Sequence, residues 1–198
     1  MTSKLKISIL SIIGVLIVLL LTLGILHANN LTKLFNKQIE EVELKFNITN
    51  NDISFKVEEN NSEDIVVNIK PKVSFENSLN LQMDVLYNLE LNITNNDFIY
   101  TDHDNKTPEI VLNIKNPLGE EITEILGFNY AESGFDITGF FGPIKIVENY
   151  PLTYKNKTVS HTWDITITFK HLSLKQTENY NKDFEAHVEV LDYKIKTD

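Results

Sequence analysis

The 198-residue chain contains no cysteine and no arginine. Without cysteine it has no disulfides, no thiol catalysis and no zinc site built on thiolates. Without arginine, and with a net charge of −10, it lacks the bidentate guanidinium groups that bind phosphate and the basic surface that nucleic acids require. We therefore predict that nucleic acid is not a partner.

One long apolar run is present, which begins at Ile7 and ends at Leu26 and holds twenty residues without a charge. At about 1.5 Å per residue, a helix of this length spans the ~30 Å hydrocarbon layer of a membrane. A cleaved secretory signal has a shorter apolar region and a small-x-small cleavage site, which Leu26-His27-Ala28 matches poorly. The sequence predicts a retained anchor in residues 1–28 that contacts membrane lipid, and a short amphipathic helical stalk in residues 29–40.

Asn-x-Ser/Thr sequons indicate on which side of the membrane the remaining chain lies. The lysines that flank the apolar run are too evenly divided to set the orientation by themselves. Because such sequons mark chain segments exposed outside the cell, they favour a single-pass protein of the cell membrane with its C-terminal domain outside. Six sequons follow the apolar run, at Asn30, Asn47, Asn60, Asn92, Asn105 and Asn156.

The string NITNND occurs twice, and the similarity extends well beyond it. Residues 42–70 align without a gap with residues 87–115, an offset of 45 residues. We interpret this as an internal duplication. Within each copy, apolar and polar residues alternate in three short runs separated by Asn- and Asp-containing turns, so each copy is predicted to be a three-stranded meander.

The same alternation continues to the C-terminus and predicts an all-β fold. It predicts one long strand over residues 79–93 with a bulge near Leu86, and a change of strand face before Tyr193. The regularly spaced strands are typical of an antiparallel, immunoglobulin-like sandwich over residues 41–198. Two small β domains, 41–116 and 117–198, are the alternative. In the run from Val159 to Phe169, the only tryptophan, Trp163, lies on the apolar face, and we predict that it is buried.

Residues 111–169 resemble the late-embryogenesis-abundant type 2 domain, also described as a water-stress and hypersensitive-response domain. The similarity rests on an apolar strand ending in Asn116-Pro117, on Ile122 and Ile125, on the PIKI string at 143–146 and on a closing alternating strand. The resemblance implies an immunoglobulin-like sandwich of a kind that is often membrane-anchored, without catalytic residues and with poorly defined binding roles. The duplicated segment departs from a single compact copy of that pattern.

The stretch SGFDITGFFGP at 133–143 is the first candidate site. It contains Phe135, Phe140 and Phe141 and three of the five glycines that follow residue 24. One interpretation is an exposed aromatic loop that contacts a partner or the membrane surface. The other is a bulged hairpin whose phenylalanines turn back into the core, with glycine supplying positive φ.

Acidic residues in TDHDNKTPE, at 101–109, are the second candidate site. Asp102, Asp104 and Glu109 supply oxygen ligands of the kind calcium prefers, but the glycine and the spacing of an EF-hand loop are absent. These three residues are weak candidates for a metal site, and a solvated loop is the alternative. No metal or other cofactor is therefore predicted.

No catalytic motif is present, and His161 shares a strand face with Trp163, which favours a hydrogen-bonded histidine at the edge of the core. We predict a non-enzymatic interaction or cell-envelope module whose partners are other envelope proteins or the chain itself. The first alternative is a structural subunit, either a stress-protective sandwich or a component of a filament or its base. The second is a weak binder of calcium or a small ligand.

Overall fold

The computed structural model describes residues 45–59, 61–76, 83–131, 133–154 and 158–196, together with Ile25 and Ala28. Residues 44–198 form one compact unit. The described part contains one short 3₁₀ helix, Thr177–Asn179, in this unit. Its strands are β1 (Lys45–Thr49), β2 (Asp52–Lys56), β3 (Ile65–Ile69), β4 (Lys72–Glu76), β5 (Met83–Asn96), β6 (Ile110–Lys115), β7 (Tyr130–Ala131), β8 (Gly134–Asp136), β9 (Gly142–Tyr154), β10 (Thr158–Thr162), β11 (Asp164–Phe169) and β12 (Asp183–Lys196).

The predicted anchor lies almost wholly outside this description. Residues 7–24 and residue 26 are not among the described residues, and neither is the predicted stalk, 29–40. Within the part that is described, no helix is long and apolar enough to cross a membrane. The anchor and the stalk stay predictions.

The strands form three antiparallel sheets, which confirms the all-β, antiparallel part of the predicted fold. Their orders are β1-β4-β10, β3-β11-β6-β8-β7 and β2-β12-β5-β9. Each sheet combines strands from before and after residue 116. A domain boundary at that residue would therefore divide all three sheets.

The three-stranded and five-stranded sheets are joined by one continuous two-stranded ribbon. The register of β3 on β11 continues unchanged into that of β4 on β10, with Pro71 opposite Trp163 at the junction. The Trp163 amide donates to the Pro71 carbonyl at 3.0 Å, and proline has no N–H with which to return the bond. The predicted single strand from Val159 to Phe169 is therefore two strands, because the ribbon passes from one sheet to the other at Trp163.

The four-stranded sheet packs against this pair of sheets through aromatic side chains. Phe98 contacts both Phe55 of the four-stranded sheet and Phe169 of β11, with ring centroids 6.0 and 5.6 Å apart. Phe46 of β1 contacts Tyr87 of β5 at 6.1 Å. The core of this sandwich-like arrangement therefore lies between the four-stranded sheet on one side and the two linked sheets on the other.

The prediction of a three-stranded meander in each repeat copy is wrong. In the first copy β1, β2 and β3 pair with β4, β12 and β11, not with one another. In the second copy, residues 97–101, which correspond to β2, form no strand. Alternation specifies a strand but not its partner, and the partners here come from distant parts of the chain.

One pair of repeat-equivalent strands is nevertheless placed symmetrically. β3 and β6 lie on opposite sides of β11, and Ile69 and Ile114, which are 45 positions apart, are both opposite Ile165. The sequence also predicted a bend near Leu86 and a change of face before Tyr193. Register shifts occur close to both positions. The pairing of β5 with β9 shifts between Tyr87 and Glu90, and the pairing of β12 with β5 shifts between Val190 and Tyr193.

Candidate binding site

An open pocket of about 420 Å³ lies between β9 and β10, the edge strands of two different sheets. Its size is within the usual range for small-molecule sites, about 300–1,000 Å³. The wall combines proline, leucine and aromatic residues with three residues of the edge strand β10. The lining residues are Pro117, Leu118, Tyr150, Pro151, Ser160, His161 and Thr162.

The side formed by Pro117 and Leu118 is a tight turn organised by Asn116. The Asn116 side-chain oxygen accepts hydrogen bonds from the amides of Leu118 and Glu120, at 2.9 and 3.0 Å. Its side-chain nitrogen donates to the Glu120 carboxylate at 2.8 Å. Gly119 follows at φ +83°, which glycine adopts without strain. The turn leaves the Leu118 side chain 77 % exposed beside the pocket.

The opposite side presents unpaired backbone groups of β10. Hydrogen-bonded and non-bonded pairs alternate along an antiparallel ladder, and the bonded pair of Trp163 with Pro71 fixes this alternation. His161 and Val159 therefore bond to β4, while the N–H and C=O groups of Ser160 and Thr162 point away from it. Among the described strands only β4 pairs with β10, so the backbone of this edge is open at the pocket.

A buried hydrogen-bond relay holds the imidazole of His161 in place. The Trp163 indole Nε1–H donates to Tyr87 Oη at 2.9 Å, and Tyr87 Oη lies 3.0 Å from His161 Nδ1. Burial lowers the pKa of His161 and raises that of Tyr87, so both groups are neutral near pH 7. Tyr87 Oη and His161 Nδ1 therefore share one hydrogen bond, whose direction depends on the tautomer of the neutral imidazole.

Tyr150 completes the aromatic wall. Its ring meets those of Trp163, His161 and Tyr87 edge-on, with centroids 4.9, 5.5 and 5.8 Å apart. Burial, and secondarily the negative charge of Glu120, raises the pKa of Tyr150. The pocket is therefore uncharged near pH 7, with one carboxylate nearby, and suits a neutral ligand that offers apolar surface and carbonyl groups.

The structure does not bring the three acidic candidates together as a metal site. No group of three or more His, Cys, Asp or Glu side chains that could hold a metal occurs among the described residues. Asp102 instead closes its own loop: it accepts bonds from the Asn105 side chain and amide and from the Thr107 hydroxyl. These bonds, led by that of the Asn105 side chain, lower the pKa of Asp102.

Glu109 has a different environment, since it is completely buried. Its carboxylate accepts hydrogen bonds from the Thr101 amide at 2.5 Å and from the side chains of Gln176 and Asn179 at 2.8 and 2.5 Å. Its own amide donates to Thr138 Oγ1 at 2.9 Å. These bonds fasten the 99–101 segment and the segment around the 3₁₀ helix to the start of β6, so Glu109 has a structural role.

In the aromatic stretch 133–143, some phenylalanines turn into the core and one is exposed, so each of the two predicted interpretations holds for part of it. Phe135 is buried in β8, with its ring centroid 5.0 Å from that of Tyr130. Phe140 is half-buried and meets Phe128 edge-on at 4.9 Å. Phe141 is 70 % exposed. Only Phe141 therefore remains available for a contact with a partner.

Three of the six sequon asparagines are described. Asn47 and Asn105 are exposed, and Asn92 is half-buried in β5. Asn105 already uses its side-chain nitrogen toward Asp102. Asn30, Asn60 and Asn156 lie outside the described residues.

Sequence reasoning identified parts of the pocket without recognising it as a site. Asn116-Pro117 was noted as the end of a strand, and His161 as a residue on the same strand face as Trp163. Tyr87 and Tyr150 carried no signal that links them to either. Comparison with protein-family models, curated proteins and solved structures finds no match to this chain. The resemblance to the late-embryogenesis-abundant type 2 domain stays a prediction.

Proposed function

We propose that the chain is a single-pass membrane protein whose immunoglobulin-like sandwich lies outside the cell and acts as a non-enzymatic interaction module. The apolar run of residues 7–26 and the sequons support the location. The open pocket beside the free edge of β10 supports the interaction. Its occupant is an extended segment of a partner protein, a second component of the cell envelope.

The free edge of β10 is the observation on which this proposal rests. An added strand would bond to the backbone of Ser160 and Thr162, as in other complexes formed by strand addition. Its apolar side chains would meet Tyr150, Leu118 and Pro117, and His161 Nε2 offers a hydrogen-bonding atom for a polar group of the peptide. A neutral pocket of this kind selects its ligand by shape and hydrogen bonding and not by charge.

The geometry around His161 supports a non-enzymatic role. Ser160 is its neighbour in sequence, but successive side chains of a strand point to opposite faces, so the hydroxyl and the imidazole diverge. His161 Nδ1 is already paired with Tyr87. Neither arrangement gives a nucleophile activated by an adjacent base.

The topology is tested by thiol labelling, which the cysteine-free chain makes unambiguous. Glu63→Cys in the sandwich should react with a membrane-impermeant maleimide on intact cells. Lys4→Cys, before the apolar run, should react only after the membrane is opened. The reverse pattern, or protection of both sites, overturns the proposed location.

Peptide binding is tested with a displayed library of random heptapeptides selected on the full chain in lipid nanodiscs. Selected peptides should lose about tenfold or more in affinity for Leu118→Ala, since apolar contact at the pocket is removed. Leu174→Ala, which truncates a leucine that is 47 % exposed outside the pocket, is the matched control. Equal binding to both variants overturns the assignment of the pocket.

A structural-subunit role is the second candidate, and β3 favours it. As far as the structure describes the chain, this strand is a free edge of the five-stranded sheet. It carries apolar side chains on both faces, with Val66 60 % exposed. Edges of this kind pair with other strands unless they are blocked.

A further inference from the structure

We propose that β3 is a self-association edge, at which two copies of this chain pair their β3 strands antiparallel about a two-fold axis through Val67. The proposal goes beyond binding at the pocket and uses a different sheet. Its occupant is a second copy of the same chain.

The backbone of β3 is free on one side. The hydrogen bond between Trp163 and Pro71 fixes which residue pairs of the ribbon are hydrogen-bonded, and every second pair is. Ile65, Val67 and Ile69 therefore bond to β11. The N–H and C=O groups of Val66 and Asn68 therefore point to the open edge. Within the described part of the chain, no other strand pairs with β3.

The repeat-equivalent strand shows this sequence pattern paired on both sides. β6 reads IVLNIK where β3 and the next residue read IVVNIK, and it lies between β11 and β8. β3 has the same β-branched character, but among the described strands it has only β11 as a neighbour. A strand of this composition is therefore stable in this fold as an inner strand.

The longest edge strand in the described structure, β9, is protected, in contrast to β3. β9 carries Pro143, Pro151 and Lys145 and has register shifts on its partner, all of which discourage strand addition. β3 contains no proline, no lysine and no register shift. Ile65, Val67 and Ile69 are only half-buried on one face, and Val66 is exposed on the other.

The charges that flank β3 make it complementary to itself. In the two-fold register Val66 bonds to Asn68 of the second copy, and Asp64 lies opposite Lys70 at both ends. Lys70 is 64 % exposed and has Asp164 at 3.9 Å, while Asp64 is 40 % exposed and has Lys170 at 3.2 Å. Opposite charges facing each other across two strands favour this register over shifted ones.

A strand pair of this length buries less surface than the 1,200–2,000 Å² of a typical stable interface. The net charge of −10 adds repulsion between copies. Association is therefore weak in dilute solution and grows when copies share one membrane, a step that rests on the proposed anchoring.

Register-specific disulfide trapping tests the pairing in the full chain reconstituted in lipid vesicles. Val67 would face Val67 of the second copy as a non-hydrogen-bonded pair with Cα atoms about 4.5 Å apart, within disulfide range. Val67→Cys should form cross-linked dimers on mild oxidation at least about tenfold faster than Ile65→Cys or Ile69→Cys alone. Mixing the Ile65→Cys and Ile69→Cys chains should restore cross-linking, because these positions lie opposite each other.

Equal cross-linking at the three positions would indicate random collision and overturn the pairing, as would none at position 67. The same variants in detergent micelles at high protein concentration separate this proposal from the membrane topology. Cross-linking at position 67 there supports the strand pair even if the labelling of Glu63→Cys contradicts the proposed location. Its absence there, with reactive thiols, overturns the pair.

Discussion

The indole Nε1 of Trp163 donates a hydrogen bond to the hydroxyl of Tyr87 across 2.9 Å, and both side chains are completely buried. Trp163 lies where the ribbon crosses between sheets, and Tyr87 lies in β5 of the facing four-stranded sheet. One bond therefore ties the two layers together directly beneath the pocket. The prediction that Trp163 is buried is confirmed.

Removing this side chain should cost much of the domain's stability. We expect Trp163→Ala to lower the free energy of unfolding by about 3–5 kcal/mol, the range for truncating a large core aromatic. Tyr87→Phe should cost less, about 1–3 kcal/mol, because it leaves the indole N–H without a buried partner but keeps the packing. Denaturant unfolding followed by circular dichroism measures both. A smaller loss for Trp163→Ala than for Tyr87→Phe would contradict this role.

His161 should make stability depend on pH. Burial lowers the pKa of His161 below the ordinary histidine value of 6.5, so the unfolded chain binds a proton at higher pH than the folded one. The stabilising contribution is therefore complete above about pH 6.5 and declines as the pH falls toward the folded-state pKa. Wild type should lose more unfolding free energy between pH 7 and 5.5 than His161→Asn, which cannot titrate. Parallel pH profiles for the two proteins would refute this expectation.

Glu109 should be required for folding stability. In Glu109→Gln the side-chain NH₂ group faces donors from Thr101, Gln176 and Asn179, so at least one buried donor loses its acceptor. We expect a loss of about 1–3 kcal/mol or more in unfolding free energy. Glu63→Gln, which changes an exposed carboxylate, is the control and should leave stability within about 0.5 kcal/mol of wild type. Thermal unfolding of the two variants side by side distinguishes them, and similar melting temperatures would count against a buried network.

Gly134 should not tolerate a side chain. A Cβ at this position would lie 2.6 Å from Asn113 Oδ1 and 2.7 Å from the Leu112 carbonyl oxygen, at a φ of +116°. Gly142 has a similar φ, +112°, but a Cβ added there would have no atom within 4 Å. Gly142→Ala therefore measures the cost of the backbone conformation alone. We expect Gly134→Ala to be clearly less stable than Gly142→Ala in denaturant unfolding. Equal stabilities would mean that β8 shifts to make room.

Local alternation of apolar and polar residues was enough to predict an all-β chain, the burial of Trp163, the bend near Leu86 and the change of strand face before Tyr193. These features follow from the two-residue period of a strand, which is written in neighbouring residues. The apolar run of residues 7–26 and the sequons are likewise properties of the sequence alone.

Strand partners were decided only by the tertiary structure. Val67 and Leu112 have the same alternation in their two strands, yet one strand is a free edge and the other is enclosed on both sides. The candidate pocket depends on the same choice, because it brings Tyr150, His161 and the turn at Pro117 together from three distant segments. A single strand exposes the same backbone donors and acceptors to any partner, so the partner is selected by which faces and edges the whole chain can bury together.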